Sequence, residues 1–175
     1  GRLTSLEALQ ESALGKVSES VNGWLEAQDL DAKPRLAQNL AVVTGWERAV
    51  ETVLGGYLQA VCVESIDAVA ESLLNLSGGG VTLLRDRVRD QAARLDTGML
   101  SAYAEGPGVD SLLDGIRASE SLQDALALRE GLSAHESVIT RDGIWLGQDW
   151  LRINRSDDPQ VGVLEREEGI KALTI

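Results

Sequence analysis

Apolar residues recur at helical spacing near both ends of the chain. Over residues 2–14 they are spaced three, three and four positions apart, at Leu3, Leu6, Leu9 and Ala13. A Glu-rich segment over residues 162–173 has its own apolar set, at Val163, Leu164, Ile170 and Leu173. Such spacing is typical of an apolar stripe along one face of a helix. The pattern therefore predicts amphipathic helices at both ends.

The first half of the chain alternates between the two kinds of pattern. It predicts helices over 19–28, 46–54 and 65–76, and strands over 36–43, 57–63 and 81–84. Gly55-Gly56 is predicted to end the middle helix, because glycine adopts the left-handed cap conformation at little cost. Ser65 is a candidate N-cap for the helix that follows. Alternation of strand and helix indicates an α/β lobe.

The second half predicts another small lobe of mixed structure. Residues 85–94 are polar and rich in Arg, and residues 97–108 hold three glycines and one proline, so residues 85–108 are interpreted as a surface connection. Beyond it the pattern predicts a helix over 122–132 and strands over 116–118, 138–140, 144–146 and 150–153. Asp142-Gly143 predicts a tight hairpin turn, because both positions tolerate positive φ.

Composition narrows the class of protein. A chain of 175 residues with 43% apolar residues can form one domain, or two small lobes that share a core. The net charge of −12 argues against nucleic-acid binding by the whole surface, although it leaves a local basic patch open. Cys62 is the single cysteine, which excludes an intramolecular disulfide and favours a cytosolic protein. No apolar run reaches the roughly 20 residues that span a bilayer, so no membrane partner is expected.

Candidate chemistry is sparse. His135 lies beside Glu136, a pair with acid–base capacity, but no nucleophile or second metal ligand accompanies it. Cys62 falls in an apolar strand, where cysteine behaves as a small hydrophobic residue. Gly78-Gly79-Gly80 is followed by no lysine and is interpreted as a turn rather than a phosphate loop. No GxxxxGK[ST] motif occurs. We therefore predict no catalytic residue, no metal and no cofactor.

Arginines supply two candidate contacts for DNA. The better group contains Arg85, Arg87, Arg89 and Arg94. A weaker group near the predicted hairpin contains Arg141, Arg152 and Arg155. Asp86 and Asp90 interrupt the first group, so a solvated, ion-paired surface is favoured over a DNA site, and weak DNA contact stays open.

Three segments, taken in order, carry a family resemblance. The first has the form AxExxLGxxLQxVxV, with matches at Ala49, Glu51, Leu54, Gly55, Leu58, Gln59, Val61 and Val63. The second segment begins before an acidic helix and continues into it. Its matches are at Leu112, Leu113, Gly115, Ile116, Asp124, Ala125 and Leu128. The third resembles the form RxVTxDGxxxxxxG through Thr140, Asp142 and Gly143, and Val138 and Gly147 lie close to the positions of its valine and its last glycine. Together they resemble the hinge domain of SMC proteins, the ATPases that organise chromosomes.

The resemblance implies an α+β fold of two small mixed lobes flanked by coiled-coil stubs. The expected divisions are 1–14 for the N-terminal stub, 15–84 for lobe I, 85–108 for a connection, 109–160 for lobe II and 161–175 for the C-terminal stub. The implied function is homodimerisation: lobe I of one protomer meets lobe II of the other and joins two coiled-coil arms. ATP hydrolysis belongs to distant head domains, so the chain itself is not expected to be an enzyme.

The resemblance also implies an interface, with one departure from the family pattern. Interface residues are expected at Gly55, Gly56, Tyr57, Trp145, Leu146, Gly147 and Trp150. Many hinges follow the DG turn with a paired-glycine run of the form NPGGxMTGG, whereas this chain has IWLGQDWLRINRSDD, in which Gly147 alone survives. We therefore expect Trp145, Leu146, Trp150 and Leu151 to fill that space with bulk.

Further expectations follow from the family. They are weak DNA contact through the two arginine groups, accessory subunits of the complex as partners, and a nucleoid-associated place in the cytoplasm. An alternative interpretation is a regulatory α/β domain that binds a small molecule at the strand ends of the first lobe.

Overall fold

The computed structural model describes residues 1–14, 19–87, 96, 98–155 and 162–174. Its α-helices are α1 Arg2–Leu14, α2 Glu19–Ala27, α3 Leu36–Asn39, α4 Glu47–Leu54, α5 Asp67–Ala70, α6 Val109–Leu112, α7 Leu122–Arg129 and α8 Val163–Thr174. Its strands are β1 Ala41–Val42, β2 Val61–Val63, β3 Leu83–Arg85, β4 Ala104–Glu105, β5 Ile116–Ser119, β6 Ser137–Thr140, β7 Trp145–Leu146 and β8 Leu151–Arg152. Short 3₁₀ helices cover Gly55–Gln59, Glu71–Asn75 and Leu100–Tyr103. Helices and strands are mixed along the chain, which confirms the α+β class.

The second half forms a four-stranded sheet in the order β5-β6-β7-β8. Strands β5 and β6 are parallel and are joined through α7, whereas β6, β7 and β8 are antiparallel neighbours. The predicted Asp142-Gly143 hairpin is confirmed. Gly143 has φ +88° and donates its N–H to the Thr140 carbonyl at 3.0 Å, and the Thr140 hydroxyl accepts the Ile144 N–H at 3.0 Å.

The first half does not form the single sheet that its pattern predicts. Strand β2 pairs in parallel with β3, but β1 pairs with β4, from beyond the expected lobe. The predicted strand over 36–43 is wrong for its first residues, which form α3. Leu36, Ala37 and Leu40 are all buried there, and one helical turn places such neighbours on one side where an alternating strand cannot.

Two further predictions in this half need correction. The predicted strand over 57–63 begins only at Val61, because the chain after α4 continues as the 3₁₀ helix Gly55–Gln59, which buries Leu58 and leaves Tyr57 exposed. The predicted helix over 65–76 divides into α5 and the 3₁₀ helix Glu71–Asn75. Its predicted cap holds, since the Ser65 hydroxyl accepts the Ala68 N–H at 3.2 Å.

Residues 98–105 are not the surface connection that their glycine content suggested. Leu100 is fully buried, Ala104 is nearly so, and strand β4 completes a sheet with β1. Met99 also forms a bridge to Arg117 of β5. This segment therefore connects the two halves of the chain. Its buried apolar residues, rather than the glycines around them, determine where it lies.

One apolar core joins both halves. Trp46 and Leu58 from the first half, Ile139 from the second and Val163 from α8 belong to a single buried cluster. A separate cluster packs α2 over β2, where the Trp24 indole N–H donates to the Ser72 carbonyl at 2.8 Å. The expected lobes thus share a core, while their exact divisions stay a prediction.

A buried carboxylate ties α8 to α4. Glu51 is 7% exposed and accepts the N–H groups of Gly162 at 2.9 Å and Leu164 at 3.2 Å. These N–H groups open α8, where a negative charge also meets the positive end of the helix dipole. Burial raises the pKa of Glu51, although the α8 N–H groups and the Arg48 guanidinium, 3.6 Å away, act in the opposite direction.

The raised pKa predicts how Glu51 affects stability. The folded chain holds this proton more tightly than the unfolded chain, so protonation of Glu51 favours folding. The free energy of unfolding, measured relative to a Glu51→Gln variant, should be highest below the ordinary glutamate pKa of 4.5 and should fall as pH rises through the raised value. Urea unfolding of both proteins between about pH 4 and about pH 8 measures this. A difference that is constant or grows with pH contradicts the assignment.

The burial of Leu100 predicts a large effect of truncation. Leu100→Ala should lower the free energy of unfolding by about 2–5 kcal/mol, because it leaves a cavity in the shared core. Leu74→Ala is the matched control, since Leu74 is 88% exposed, and should stay within about 0.5 kcal/mol of the parent. Chemical denaturation of the three proteins compares them. Equal effects of the two substitutions would show that residues 98–105 are not part of the core.

Candidate dimer interface

The first and the third segments with family motifs contact each other directly, although about 70 residues separate them. The DG turn rests on α4: a Cβ atom placed on Gly143 would lie 2.9 Å from the Thr52 hydroxyl and 3.0 Å from Cγ of Arg48. Glycine is therefore needed at position 143 both for its positive φ and for this close approach. The turn belongs to a junction within one chain.

A stacked cation and two rings complete this junction. The Arg141 guanidinium lies 5.1 Å from the centre of the buried Trp46 ring, and the Tyr103 ring stacks on Trp46 with centroids 4.3 Å apart. Glu120 holds the guanidinium through an oxygen 2.6 Å from Nε. The hairpin, the start of α4 and the 98–105 segment are thereby fixed together.

An open cleft of about 660 Å³ lies beside the end of α4. Four of the seven predicted interface residues line it: Gly55, Gly56, Tyr57 and Trp145. Residues 81–83 and Arg152 form other parts of its wall. Tyr57 is 48% exposed, so its ring is available to another molecule. The structure thus brings Trp145 to the same surface as Gly55, Gly56 and Tyr57.

The other three predicted interface residues have different roles. Leu146 is fully buried in an apolar cluster with Val138 and Ala125, so its assignment to the interface is wrong. Strand β7 alternates between the partly exposed Trp145 and the buried Leu146, so its two side chains lie on opposite faces and Leu146 points into the core. Gly147 is also buried, and a Cβ atom there would lie 2.1 Å from Nε1 of Trp150. Because Gly147 has no side chain, the Trp150 indole can pack directly against its backbone.

Trp150 begins an exposed apolar edge. Its ring meets Trp145 edge to face, with centroids 5.2 Å apart, and the Trp145 N–H donates to the Ser137 hydroxyl at 2.9 Å. Strand β8 is the outer strand of its sheet among the described strands, and its Leu151 is 53% exposed. Trp150 and Ile153, which flank the strand, are 43% and 40% exposed. Sequence reasoning missed Ile153, which its position next to the outer strand singles out.

The predicted basic residues do not gather into one patch. Arg141 and Arg155 are paired with Glu120 and Asp142. Arg152 lies 6.0 Å from the Trp145 ring, in the cleft.

Arg85 and Arg87 form a separate group. They are exposed and line a smaller cleft of about 340 Å³ beside Gly106 and Ser111. Arg89 and Arg94 lie outside the described residues.

The candidate acid–base pair, His135 and Glu136, and the single thiol of Cys62 lie in different environments. His135 is exposed, with its Nδ1 3.4 Å from the Ser133 hydroxyl. Hydrogen bonds from the Ser133 N–H and hydroxyl lower the pKa of Glu136. Burial raises the pKa of the Cys62 thiol, which lies in the core. Within the described ranges, no three His, Cys, Asp or Glu side chains are arranged to hold a metal ion.

No helix in the described part of the chain combines the length and apolar character that a bilayer crossing requires.

Comparison with known sequences places the chain in a family. A sequence profile described as "SMC proteins Flexible Hinge Domain" matches residues 31–131, more than half of the chain. The chromosome partition protein Smc of Coxiella burnetii is 41% identical over 172 residues, a match that covers 97% of this chain. The chain spans about 15% of the length of that relative.

Solved structures share the fold. The SMC hinge domain of Geobacillus stearothermophilus, solved as an asymmetric dimer, superposes with a TM-score of 0.69 at 22% identity and covers 99% of this chain and 77% of its own. The Pyrococcus furiosus Smc hinge domain with an extended coiled coil gives 0.53 at 17% identity, over 98% of this chain and 70% of its own. These matches are to hinge domains and not to the ATPase head. The chain belongs to the SMC hinge family.

Proposed function

We propose that this domain is the homodimerisation hinge of an SMC-type chromosome-partitioning protein. The observation that carries the proposal is the surface where Gly55, Gly56, Tyr57 and Trp145 line one open cleft, with the exposed β8 edge beside it. Exposed apolar side chains next to an unpaired strand edge are typical of a protein–protein contact. The name of the Coxiella relative, a chromosome partition protein, supports the assignment to chromosomes.

Strand edges suggest how two copies meet. Strand β8 is the outer strand of the four-stranded sheet, and β3 is the outer strand beside β2, among the strands described. Backbone N–H and C=O groups on such edges bind a further strand. Lobe I of one protomer meets lobe II of its partner, and the same contact repeats about a two-fold axis and closes the dimer. Trp145 and Trp150 supply bulk where many hinges have paired glycines.

The terminal helices fit the role of coiled-coil stubs. Helices α1 and α8 run antiparallel: Leu6 lies against Gly169, and Gln10 lies against Val163 and Glu167. We propose that these helices continue into the arms of a longer protein that ends in ATPase heads. That protein lies at the nucleoid in the cytoplasm and binds accessory subunits there. Residues 15–84 and 109–160 are its two hinge lobes, joined by residues 85–108.

The alternative of a small-molecule-binding α/β domain has less structural support. Its pocket was expected at the strand ends of one sheet in the first lobe, but that half forms two separate two-stranded sheets. The cleft beside the end of α4 is open, and its wall combines glycines with apolar and polar side chains, among them Tyr57, Trp145 and Arg152. Such a surface suits another protein better than an enclosed metabolite.

Substitution of Tyr57 tests the interface. Tyr57→Glu places a charge in the cleft and should weaken dimerisation at least about tenfold, because a central aromatic side chain often dominates an interface. Leu74→Glu is the matched control: it puts the same charge on a more exposed apolar residue outside the cleft, and it should leave the dissociation constant unchanged. Sedimentation velocity over a concentration series measures both constants. Equal weakening by the two variants would place the interface elsewhere.

We also propose weak DNA contact through Arg85 and Arg87. These two side chains are exposed on one small cleft, whereas Arg141 and Arg155 already pair with carboxylates. The net charge of −12 keeps the contact weak and sensitive to salt.

Salt dependence tests this contact. Replacing both Arg85 and Arg87 by Glu should lower the log–log slope of DNA affinity against salt by about two, since each phosphate contact contributes about one. Arg155→Glu serves as the control and should leave the slope unchanged, because Arg155 already faces Asp142 at 3.5 Å. Fluorescence anisotropy with a labelled duplex at low salt provides the affinities. An unchanged slope in the double variant would show that Arg85 and Arg87 do not contact DNA.

A further inference from the structure

The helix pair α1 and α8 buries a polar residue on the apolar face of α1. The apolar stripe predicted for α1 includes Leu9, yet Leu9 is 47% exposed and the adjacent Gln10 is 6% exposed. Leu3 and Leu6 are half-buried, as the stripe predicts, and the side chain of Ala13 lies outside the described residues. Leu3, Leu6 and Gln10 are spaced three and four residues apart, so they share one face of α1, and Leu9 lies at its edge. The burial of Leu3 and Leu6 therefore brings the polar side chain of Gln10 against α8.

Hydrogen bonds explain why Gln10 is buried. Its Nε2 donates to the Val163 carbonyl at 2.7 Å and to Glu167 Oε2 at 2.9 Å, and its Oε1 accepts from Nε of Arg166 at 3.1 Å. Both donors of the amide and its oxygen are therefore used, and all three partners belong to α8. Glu167 is itself only 8% exposed, so displacement of Gln10 would leave a buried carboxylate without this donor.

The same turn of α8 is held from its other side by α4. Glu51 accepts the N–H groups of Gly162 and Leu164, while Gln10 donates to the carbonyl of Val163 between them. The first turn of α8 is thus bonded to α4 through its donors and to α1 through an acceptor. The apolar contacts of α1 and α8 are non-directional, whereas these bonds exist at one axial position and one rotation of α1.

We propose that Gln10 sets the register of α1 against α8, and that Glu51 fixes this register to the body of the domain. A buried polar side chain in a helix pair selects one alignment, because every other alignment leaves it unsatisfied. Gln10 acts as a positioning residue, and it selects one axial alignment of α1 on α8. The direction in which the two helices leave the domain is therefore set by polar contacts at its base. This role does not depend on dimerisation.

An isosteric substitution tests the register directly. Gln10→Glu keeps the shape of the side chain, removes its two donors and places a second carboxylate beside Glu167. Combining it with Glu167→Gln exchanges acceptor and donor and restores one hydrogen bond between the two side chains. Ala8→Glu is the matched control, since it adds the same charge to the exposed face of α1.

Distances between spin labels report the alignment. Cysteines replace the exposed residues Arg2 and Ala172 in a Cys62→Ala background, and labelled protein is diluted with unlabelled chain so that distances within one chain dominate. At about pH 8, the parent and Ala8→Glu should give the same single narrow distance. Gln10→Glu should broaden it or add a population displaced by about 5.4 Å, the rise of one turn. The exchange variant should restore the narrow distance.

Hydrogen exchange separates a change of register from general unfolding. In Gln10→Glu, the amides of α1 and of the first turn of α8 should lose protection by roughly tenfold, while those of β6 keep theirs. A parent-like distance and parent-like protection in Gln10→Glu would overturn the proposal. Failure of the exchange variant to restore the distance would also overturn it, because the pairing of Gln10 with Glu167 would then not set the alignment.

Discussion

The burial of helix α4 is the constraint on which the rest of the structure depends. Ala49, Val50 and Leu54 are all at most 3% exposed in the core shared by both halves of the chain. The polar residues of the same helix also make contacts within the chain. Arg48 and Thr52 contact Gly143 of the hairpin, and Glu51 bonds the start of α8. An eight-residue helix thereby positions the second lobe, the last helix and the cleft at its own end.

The proposed role in dimerisation gives this arrangement a mechanical consequence. A dimerisation joint has to resist force between its partner surface and the helices that lead away from it, and here a single buried helix connects the cleft with α8. Its end reaches Gly55 and Gly56 at the cleft, and Glu51 in its middle holds α8. Because a packed core deforms little, force applied through α8 would reach the cleft rather than be absorbed between them.

Local patterns predicted the elements whose structure depends on neighbouring residues. The Asp142-Gly143 hairpin, α2, α4 and α7 follow from turn chemistry and helical spacing alone. The pattern failed where distant parts of the chain decide. Residues 36–39 form a helical turn because Leu36, Ala37 and Leu40 face one core, and Leu100 is buried because β4 pairs with β1. Neither partner is visible in the local sequence.

The candidate site shows the same division. The family motifs indicated Gly55, Gly56, Tyr57 and Trp145, and the structure brings these four to one cleft. They did not show that Leu146 is internal, that Gly147 supports Trp150, or that Gln10 is buried while Leu9 is exposed. Each of these outcomes depends on a contact across the sheet or between helices. Glu51 matches one position of the first motif, and its partners on α8 lie 111 and 113 residues away.

Sedimentation equilibrium of the unmodified chain at several concentrations tests the central claim most directly. One chain has a mass of 18.7 kDa, so we expect a ligand-free dimer of twice that mass, about 37.4 kDa. The apparent mass should approach this value as concentration rises and should not require any added small molecule. A mass of 18.7 kDa at every concentration would contradict the assignment of this domain as a dimerisation hinge.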